Sequence, residues 1–378
     1  MTTTLRQAAG ELLVVGLGGT ELTGLERAWL KLVRPGGVIL FKRNIVNAAQ
    51  TRALLDEATG LGAAHSVRCV DVEGGTVNRL RDALALLPSA QAVGAAMRSL
   101  RKPALAREFG ELIARAVKTF GLNTTLAPVV DLALPEAAEV LGSRPPGMNA
   151  QEVIDFARAF LEGLAAQGVV GCGKHFPGLG GATGDTHFVT PEIERTWQQI
   201  WDEDLVPYRE LHAAMPMIMM NHAAYPATPG MRRPASASDF WITKVLRKRI
   251  GYRGIVLSDD LEMGGILKFL PVDEAAIAAV RAGSDLLEIC HSAELILRSY
   301  EALIAEAEQS TAFRTLLLER ARSTARKRAR LYQKPVQRAL TAKQFDTLRA
   351  QILRFRDRVA ASEASAIDPR AAAPAEIS

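Results

Sequence analysis

Ionisable side chains with a spacing suited to acid–base chemistry occur in one glycine-rich stretch, GKHFPGLGGATGDTHFVTP, at residues 173–191. Lys174 and His175 stand near its start, and Asp185 and His187 follow two residues apart. Ordering the glycines in a helix or a central strand costs entropy, so the stretch is predicted to be a long mobile loop. A carboxylate beside an imidazole orients the ring and raises its basicity, which suits proton transfer near neutral pH. A simple loop hydrogen bond between Asp185 and His187 is the alternative interpretation.

The segment SDDLE, residues 258–262, offers further carboxylates, of which Asp259 is a candidate nucleophile or base. A retaining glycosidase uses one carboxylate to attack the anomeric carbon and a second group to protonate the leaving oxygen and later activate water. Asp259 and the pair on the glycine-rich loop could divide this labour. Two alternatives remain open: SDDLE also has the pattern of a helix cap with a capping box, and Lys174 could form a Schiff base, as in aldolase-type barrels.

Eight short apolar runs rich in β-branched residues alternate along the chain with helical patterns. Runs of this length without strict alternation suit strands that are buried on both faces. Eight such strands separated by helices predict an α/β fold, a TIM-type (β/α)8 barrel. The runs lie at residues 11–17, 36–41, 67–73, 124–131, 168–173, 217–223, 254–259 and 285–290.

Polar and ionisable residues end five of these eight runs. In a parallel barrel the carboxyl ends of all strands meet at one mouth, where the working residues of such barrels lie. The sequence therefore predicts one site at that mouth. The residues are Asp71, Glu73, Asp131, Lys174, His175, Asn221, His222, Asp259 and Asp260.

The segments between the runs carry helical patterns. Residues 105–121 and 150–168 have apolar side chains three and four positions apart and end on glycine, which closes helices in the left-handed conformation. Residues 238–251 predict a further amphipathic helix, which begins with a Ser/Asp cap.

We assign residues 1–335 to a single catalytic barrel domain and residues 336–378 to a helical extension with a flexible tail. Within the extension, residues 341–359 show a short helical pattern. The rest is rich in Ala, Ser and Pro with little to bury, and is predicted to be disordered.

The composition favours a globular protein of the cytoplasm. The chain has 378 residues, of which 48% are hydrophobic and 23% charged. Its three cysteines, Cys69, Cys172 and Cys290, all lie in apolar runs, which suits buried reduced thiols better than a disulfide framework. The N-terminal stretch lacks the features of a signal peptide, and no run approaches about 18 apolar residues, so no membrane association is expected.

The charge pattern gives no sign of nucleic-acid binding. The formal net charge is +5, and much of the basic excess lies at residues 314–334, which we interpret as the solvated face of a long helix. Aromatic platforms and known nucleic-acid modules are absent from the sequence. Neither a dinucleotide fingerprint nor a phosphate loop is present, and the six histidines form no i, i+4 pair, so neither a cofactor nor a metal is expected.

Several motifs resemble one family, in the right order and from about Leu13 to His291. GKHFPGLGGATGDTHFVTP resembles KHFPGHGxxxxDSHxxxP, and VDVEGGTVNRL at 70–80 resembles IDQEGGRVxRL. LFKRN at 40–44 is similar to LFxRN, LAPVVDL at 126–132 to FAPVxDV, and NHAAYP at 221–226 to AHVxYP. Residues 234–266 resemble PASLS…LLRxxLGFxGxVxSDDLxM. These are signatures of the bacterial β-N-acetylhexosaminidases of glycoside hydrolase family 3, the NagZ type.

The resemblance implies a role for each matching residue. Asp259, and not Asp260, would be the nucleophile that forms a glycosyl-enzyme, and His187 the general acid/base with Asp185 as its partner. The hydroxyls of N-acetylglucosamine would be held by charged hydrogen bonds, which are directional. The residues that would hold them are Asp71, Arg79, Arg144, Lys174 and His175.

The function implied is a retaining exo-β-N-acetylglucosaminidase without cofactor. It would act as a cytoplasmic monomer on N-acetylglucosamine-containing muropeptides in cell-wall recycling. Three alternatives are a β-N-acetylglucosaminide phosphorylase of the same fold, a β-glucosidase, and a non-catalytic sugar-binding barrel.

The glycine-rich loop departs from the family signature. Leu179 stands where His is usual, Gly181 and Ala182 where Asp-Thr is usual, and Thr186 replaces Ser. Pro145-Pro146 follow Arg144 where Ser-Phe is common. The changes at Leu179 and Gly181 remove polar groups that would shape the loop.

Overall fold

A closed barrel of eight parallel strands forms the centre of the protein. The computed structural model describes residues 3–182, 191–333 and 339–367. Around the ring the order is β1-β2-β3-β6-β7-β8-β9-β10, and β10 pairs with β1 to close the barrel. Each predicted apolar run overlaps one barrel strand, so the predicted (β/α)8 fold is confirmed. Strand β7 continues to Phe176, so the loop predicted over 173–191 is wrong for its first four residues. The strands are β1 Leu13–Gly16, β2 Gly37–Leu40, β3 Val67–Val70, β6 Thr124–Thr125, β7 Val170–Phe176, β8 Met217–Met220, β9 Ile255–Asp260 and β10 Leu286–Ile289.

A short antiparallel hairpin follows β3, formed by β4 Val72–Gly74 and β5 Val77–Asn78. Helices surround the barrel. They are α1 Leu5–Glu11, α2 Gly24–Val33, α3 Ala48–Gly60, α4 Ala90–Ser99, α5 Ala104–Thr119, α6 Ala138–Leu141, α7 Ala150–Ala166, α8 Trp197–Gln199, α9 Val206–Leu211, α10 Gly264–Leu267, α11 Val272–Ala282, α12 Ala293–Gln309, α13 Thr311–Leu331 and α14 Ala342–Ile367. The described residues also form two π-helical segments, Ile200–Asp204 and Phe240–Arg249, and three short 3-10 turns.

Apolar side chains fill the barrel interior, so the barrel is a packed core below its mouth. The thiols of Cys69, Cys172 and Cys290 all lie in this interior, and none forms a disulfide. Burial raises the pKa of each thiol, so the cysteines are protonated and unreactive. Tyr332, just after α13, packs against the same interior, and its hydroxyl lies 2.8 Å from Oγ1 of Thr124 at the amino end of β6.

The second layer of the core lies between the barrel and the helices. Helices α5 and α7 pack together there, and Phe109, Phe156 and Phe160 form an aromatic cluster. Both helices are followed by glycines with positive φ, +82° at Gly121 and +70° at Gly168, as the sequence predicts. Among the described residues no helix is both long and apolar enough to cross a membrane.

Helix α14 extends further than the sequence indicates. The helical pattern ends at residue 359, but the helix continues to Ile367, so the predicted disorder is wrong for residues 360–367. Its apolar stripe packs against α4 and α5, and Phe355 stacks on Phe109 with ring centroids 5.8 Å apart. Residues 368–378 and the predicted boundary at 335/336 lie outside the described residues.

The basic run is helical, as predicted, but three of its cations turn inward. Arg320 and Lys327 reach the buried Asp285, and Arg328 lies 3.0 Å from a carboxylate oxygen of Glu11. Arg328 is only 1% exposed. The predicted solvated face is therefore wrong for these three residues, because acidic partners from distant parts of the chain draw them toward the barrel.

The segment predicted as a helix over 238–251 is a π-helix over Phe240–Arg249. The predicted Ser/Asp cap is not made, because the Asp239 side chain forms no capping hydrogen bond and pairs instead with Lys244 at 3.1 Å.

Candidate active site

The carboxyl ends of the strands surround a cavity of about 940 Å³. Of the eight residues to which the family resemblance gives a role, six line it together: Asp71, Arg79, Arg144, Lys174, His175 and Asp259. They come from distant parts of the chain, and the parallel register of the barrel brings them to one mouth.

A buried carboxylate, Glu73, organises one wall of the cavity. Nε and Nη2 of Arg144 each donate to it at 2.9 Å, and Nζ of Lys174 lies 2.6 Å from its Oε1. Lys174 also donates to Oδ1 of Asp71 at 2.8 Å. Burial opposes ionisation of Glu73, but Arg144 and Lys174 outweigh it and hold the pKa of Glu73 below its ordinary value.

Lys174 is a cation in this environment. Burial disfavours its ammonium form, but Asp71 and Glu73 outweigh burial and raise the pKa of Lys174 above its ordinary value. A Schiff base requires an uncharged amine. The geometry therefore speaks against the aldolase-type alternative and suits a fixed hydrogen-bond donor.

His175 is held in one orientation by Asp131 beneath it. Nδ1 of His175 lies 2.7 Å from Oδ2 of Asp131, and the same carboxylate accepts from the backbone N–H of Leu179 at 2.8 Å. Nε2 faces Nη2 of Arg144 at 3.0 Å and must accept there, because a guanidinium only donates. Nδ1 therefore donates to Asp131. Leu179 itself is buried and lines the cavity.

Asp259 is the second-last residue of β9, lines the cavity and is favoured as an anion. Burial works against its charge, but His222, His175 and Lys174 outweigh burial and lower the pKa of Asp259. Its Oδ1 accepts from the backbone N–H of Asp260 at 2.9 Å. A nucleophilic carboxylate has to be ionised, and Asp259 meets this condition at neutral pH.

The neighbouring Asp260 differs in its environment. Burial raises the pKa of Asp260 to about 7, and the carboxylates of Glu262 and Asp259 add to the rise. Its Oδ1 accepts from the backbone N–H of Glu262 within a turn. Helix α10 begins later, after Met263, without a side-chain cap, so the helix-cap interpretation of SDDLE is wrong.

Asp185 and His187 lie outside the described residues, within 183–190. Their acid–base roles stay predictions. The structure does describe the segments on both sides, up to Ala182 and from Pro191 onward.

One group of described residues has the spacing of metal ligands but not the chemistry. Ligand atoms of Asp260, Glu262 and His291 lie within 4.8 Å of one another. Arg43 Nη1 lies 3.0 Å from Nδ1 of His291 and must donate to it, so the proton of the neutral ring is on Nε2, which faces Asp260. A metal would need the lone pair of that nitrogen, and the adjacent guanidinium would repel a cation.

Two polar residues of the cavity have roles that sequence reasoning missed. Glu73 was noted at a strand end without a role, and Glu288 was hidden in the apolar run DLLEIC. Glu288 lies in the lining of the cavity and is 2% exposed. Burial, with Asp71 and Asp259 adding to it, raises the pKa of Glu288 well above its ordinary value, which favours its uncharged form. The sequence signal that could have identified Glu288 is a glutamate within an apolar strand pattern.

Comparison with known proteins is consistent with this geometry. The model of the glycosyl hydrolase family 3 N-terminal domain matches residues 4–320. The chain belongs to glycosyl hydrolase family 3.

Relatives of this family 3 chain carry names in keeping with that assignment. A β-hexosaminidase from Chromobacterium violaceum is 38% identical over 284 residues, 74% of this chain and 79% of the relative. The structure of a family 3 β-N-acetylglucosaminidase from Paenibacillus sp. str. FPU-7 superposes with a TM-score of 0.83 at 29% identity, over 93% of this chain and 69% of that one. NagZ from Neisseria gonorrhoeae in complex with N-trifluoroacetyl-D-glucosamine gives a TM-score of 0.71 at 28% identity, over 83% and 98%.

Family membership makes the family 3 chain a glycoside hydrolase, as the sequence motifs imply. The resemblance found in the sequence is thereby confirmed.

Proposed function

We propose that the protein is a retaining exo-β-N-acetylglucosaminidase that removes terminal N-acetylglucosamine from peptidoglycan-derived muropeptides. The observation that carries the proposal is the ionised Asp259 in a cavity whose wall is a fixed array of charged hydrogen-bonding groups. The names of the relatives support the sugar, as does the N-acetylglucosamine analogue bound by NagZ from Neisseria gonorrhoeae.

The first step is attack of the Asp259 carboxylate on the anomeric carbon, which breaks the bond to the leaving oxygen and forms a glycosyl-enzyme. His187, with Asp185 as its partner, gives its proton to that oxygen. In the second step His187 takes a proton from water, and the resulting attack releases the sugar and frees Asp259. Retention of configuration follows from the two successive displacements.

Recognition of the sugar is assigned to the walls of the cavity. Glu73 joins Arg144 to Lys174, Lys174 holds Asp71, and Asp131 orients His175, so each polar tip is held before the sugar arrives. Charged hydrogen bonds of this kind are directional, and a preformed array does not lose side-chain entropy on binding. Arg79 completes the set at the cavity edge, 3.9 Å from Asp71.

We further propose a cytoplasmic monomer that serves cell-wall recycling. The three protonated thiols inside the barrel suit a reducing compartment.

The decisive test is a pair of adjacent substitutions. Asp259→Ala should abolish hydrolysis of 4-nitrophenyl N-acetyl-β-D-glucosaminide, because the group that attacks the anomeric carbon is gone. Asp260→Asn is the matched control. Because the high pKa of Asp260 leaves much of this carboxyl uncharged at neutral pH, an amide replaces it with little change, and activity should stay within about tenfold of wild type.

Unchanged turnover in Asp259→Ala would contradict the proposal. The same assay, run with 4-nitrophenyl β-D-glucoside and with added inorganic phosphate, identifies the sugar and separates hydrolysis from phosphorolysis.

A further inference from the structure

Asp204 is a buried carboxylate that does not line the cavity. It ends the π-helical segment Ile200–Asp204 and is 3% exposed. It contacts both of the segments that flank residues 183–190. Asp185 and His187 belong to those eight residues.

The segment before residue 183 packs closely on Asp204. A Cβ atom at Gly178 would lie 2.8 Å from Cβ of Asp204, and one at Gly180 would lie 3.4 Å from its Oδ1. Gly178 has φ of +132°, which also favours glycine. Glycines at these two positions therefore let the backbone run directly over the carboxylate.

The segment after residue 190 reaches the same carboxylate through Arg195. Nε of Arg195 donates to Oδ2 of Asp204 at 2.8 Å, and its Nη2 donates to Glu203. The arginine also covers the first segment, because a Cβ at Gly181 would lie 2.7 Å from Cδ of Arg195. The two segments thus meet on one Asp204–Arg195 pair.

The environment of the Asp204–Arg195 pair indicates a role beyond packing. Oδ1 of Asp204 is buried and accepts no hydrogen bond in the described part of the chain, so Arg195 is the main group that stabilises the anion. Burial raises the pKa of Asp204 to about 7, and Arg195 opposes that rise. A buried carboxylate with one unused oxygen is costly, and a chain that needed only packing here would use an apolar side chain.

We propose that Asp204 is a positioning residue for proton transfer: with Arg195 it fixes both ends of the segment that carries Asp185 and His187. The inference rests on the proposed function, in which His187 protonates the leaving oxygen. Asp204 does not line the cavity, so it acts on the sugar indirectly, through the segments that it contacts.

The dependence on the leaving group gives a specific signature. A poor leaving group needs protonation as the bond breaks, whereas a good one departs without it. Loss of Asp204 should therefore lower kcat/KM for phenyl N-acetyl-β-D-glucosaminide by tenfold to a hundredfold or so, as general acid catalysis contributes on the order of 10²–10⁴-fold. The 2,4-dinitrophenyl glycoside should lose less than about threefold, because a change confined to proton transfer does not reach it.

The experiment compares Asp204→Asn with the wild type on both glycosides, with thermal melting as a check of the fold. Glu203→Gln is the matched control, since it removes the exposed partner of the same arginine and should leave both kcat/KM values nearly unchanged. Arg195→Gln removes the other partner of the pair. If Asp204→Asn fails to fold, Arg195→Gln should show the same selective loss of kcat/KM on the phenyl glycoside. Arg195→Lys keeps a cation beside Asp204 and should recover most of the activity on the phenyl glycoside.

An equal loss on both glycosides, or no loss on either, would overturn the positioning role. A wild-type protein that cleaves neither glycoside would instead overturn the proposed function, so the two failures are distinguishable.

Discussion

Glu73 and Glu288 are both buried in the lining of one cavity, yet their surroundings favour opposite protonation states. Glu73 touches Arg144 and Lys174, which hold it as an anion. Among the described residues, the Glu288 side chain has one weak hydrogen-bonding contact, with Sγ of Cys69 at 3.9 Å, and its charged neighbours are mostly carboxylates. At the scale of single residues, charge in this site is set by the contacts of each group and not by its depth.

Replacing Glu288 with Gln should stabilise the protein above about pH 5. The pKa of Glu288 is raised in the folded state, so its favourable contribution is complete below the unfolded pKa, near 4.5, and is lost as pH rises toward the folded value. Gln copies the uncharged form at every pH. The gain should be on the order of 1 kcal/mol at pH 8 and vanish near pH 4, measured as the difference in denaturation midpoint across that range.

Glu73→Gln is a control whose effect on stability should have the opposite sign. The pKa of Glu73 is lowered on folding, so its contribution is present at neutral pH and lost only in acid. This variant should be less stable than wild type at pH 8, and the deficit should shrink toward low pH. A Glu288→Gln gain independent of pH would show that packing, not ionisation, is responsible.

At the scale of elements, the strands and the ends of α5 and α7 could be predicted because their signals are local. A short apolar run predicts a buried parallel strand, and a glycine after a helical pattern predicts where the helix ends. The inward turn of Arg320 and Lys327 could not be predicted, because their partner Asp285 stands on a different element. The clustering of the site residues followed from the barrel topology, whereas the roles of Glu73 and Glu288 required knowledge of which side chains touch.

Asp285 ties β10 to the helix α13 and should be one of the more sensitive positions in the chain. It is fully buried and pairs with Arg247 at 2.5 Å, with Lys327 at 2.8 Å and with Arg320 at 3.5 Å. Asp285→Asn leaves these cations without their counter-charge, and breaking a buried pair in this way costs about 3–5 kcal/mol. Chemical denaturation would measure the loss.

The control for Asp285 is an exposed pair on another helix. Asp239 and Lys244 are both more than 60% exposed, and Asp239→Asn should change the free energy of unfolding by less than about 1 kcal/mol. Equal effects at the two positions would contradict the structural role given to Asp285.

At the scale of the whole molecule, helix α14 belongs to the same core as the barrel. Leu348, Ile352, Phe355 and Val359 are all buried, and they join the apolar cluster between the barrel and its helices. The sequence predicted a helix here but not its docking, since the partner surface on α4 and α5 lies more than 200 residues earlier. A helix that covers this much apolar surface should unfold together with the barrel.

Phe355→Ala tests that coupling. Removing a ring that is 1% exposed and stacked on Phe109 leaves a cavity, and such truncations cost about 3–5 kcal/mol. If α14 and the barrel form one cooperative unit, the variant should still unfold in a single transition, with coincident fluorescence and circular dichroism, at a lower denaturant concentration. Arg354→Ala, at an exposed position of the same helix, should shift the free energy of unfolding by no more than about 0.5 kcal/mol. A second transition confined to the Phe355 variant would mean that α14 undocks while the barrel stays folded, and would separate the helix from the catalytic core.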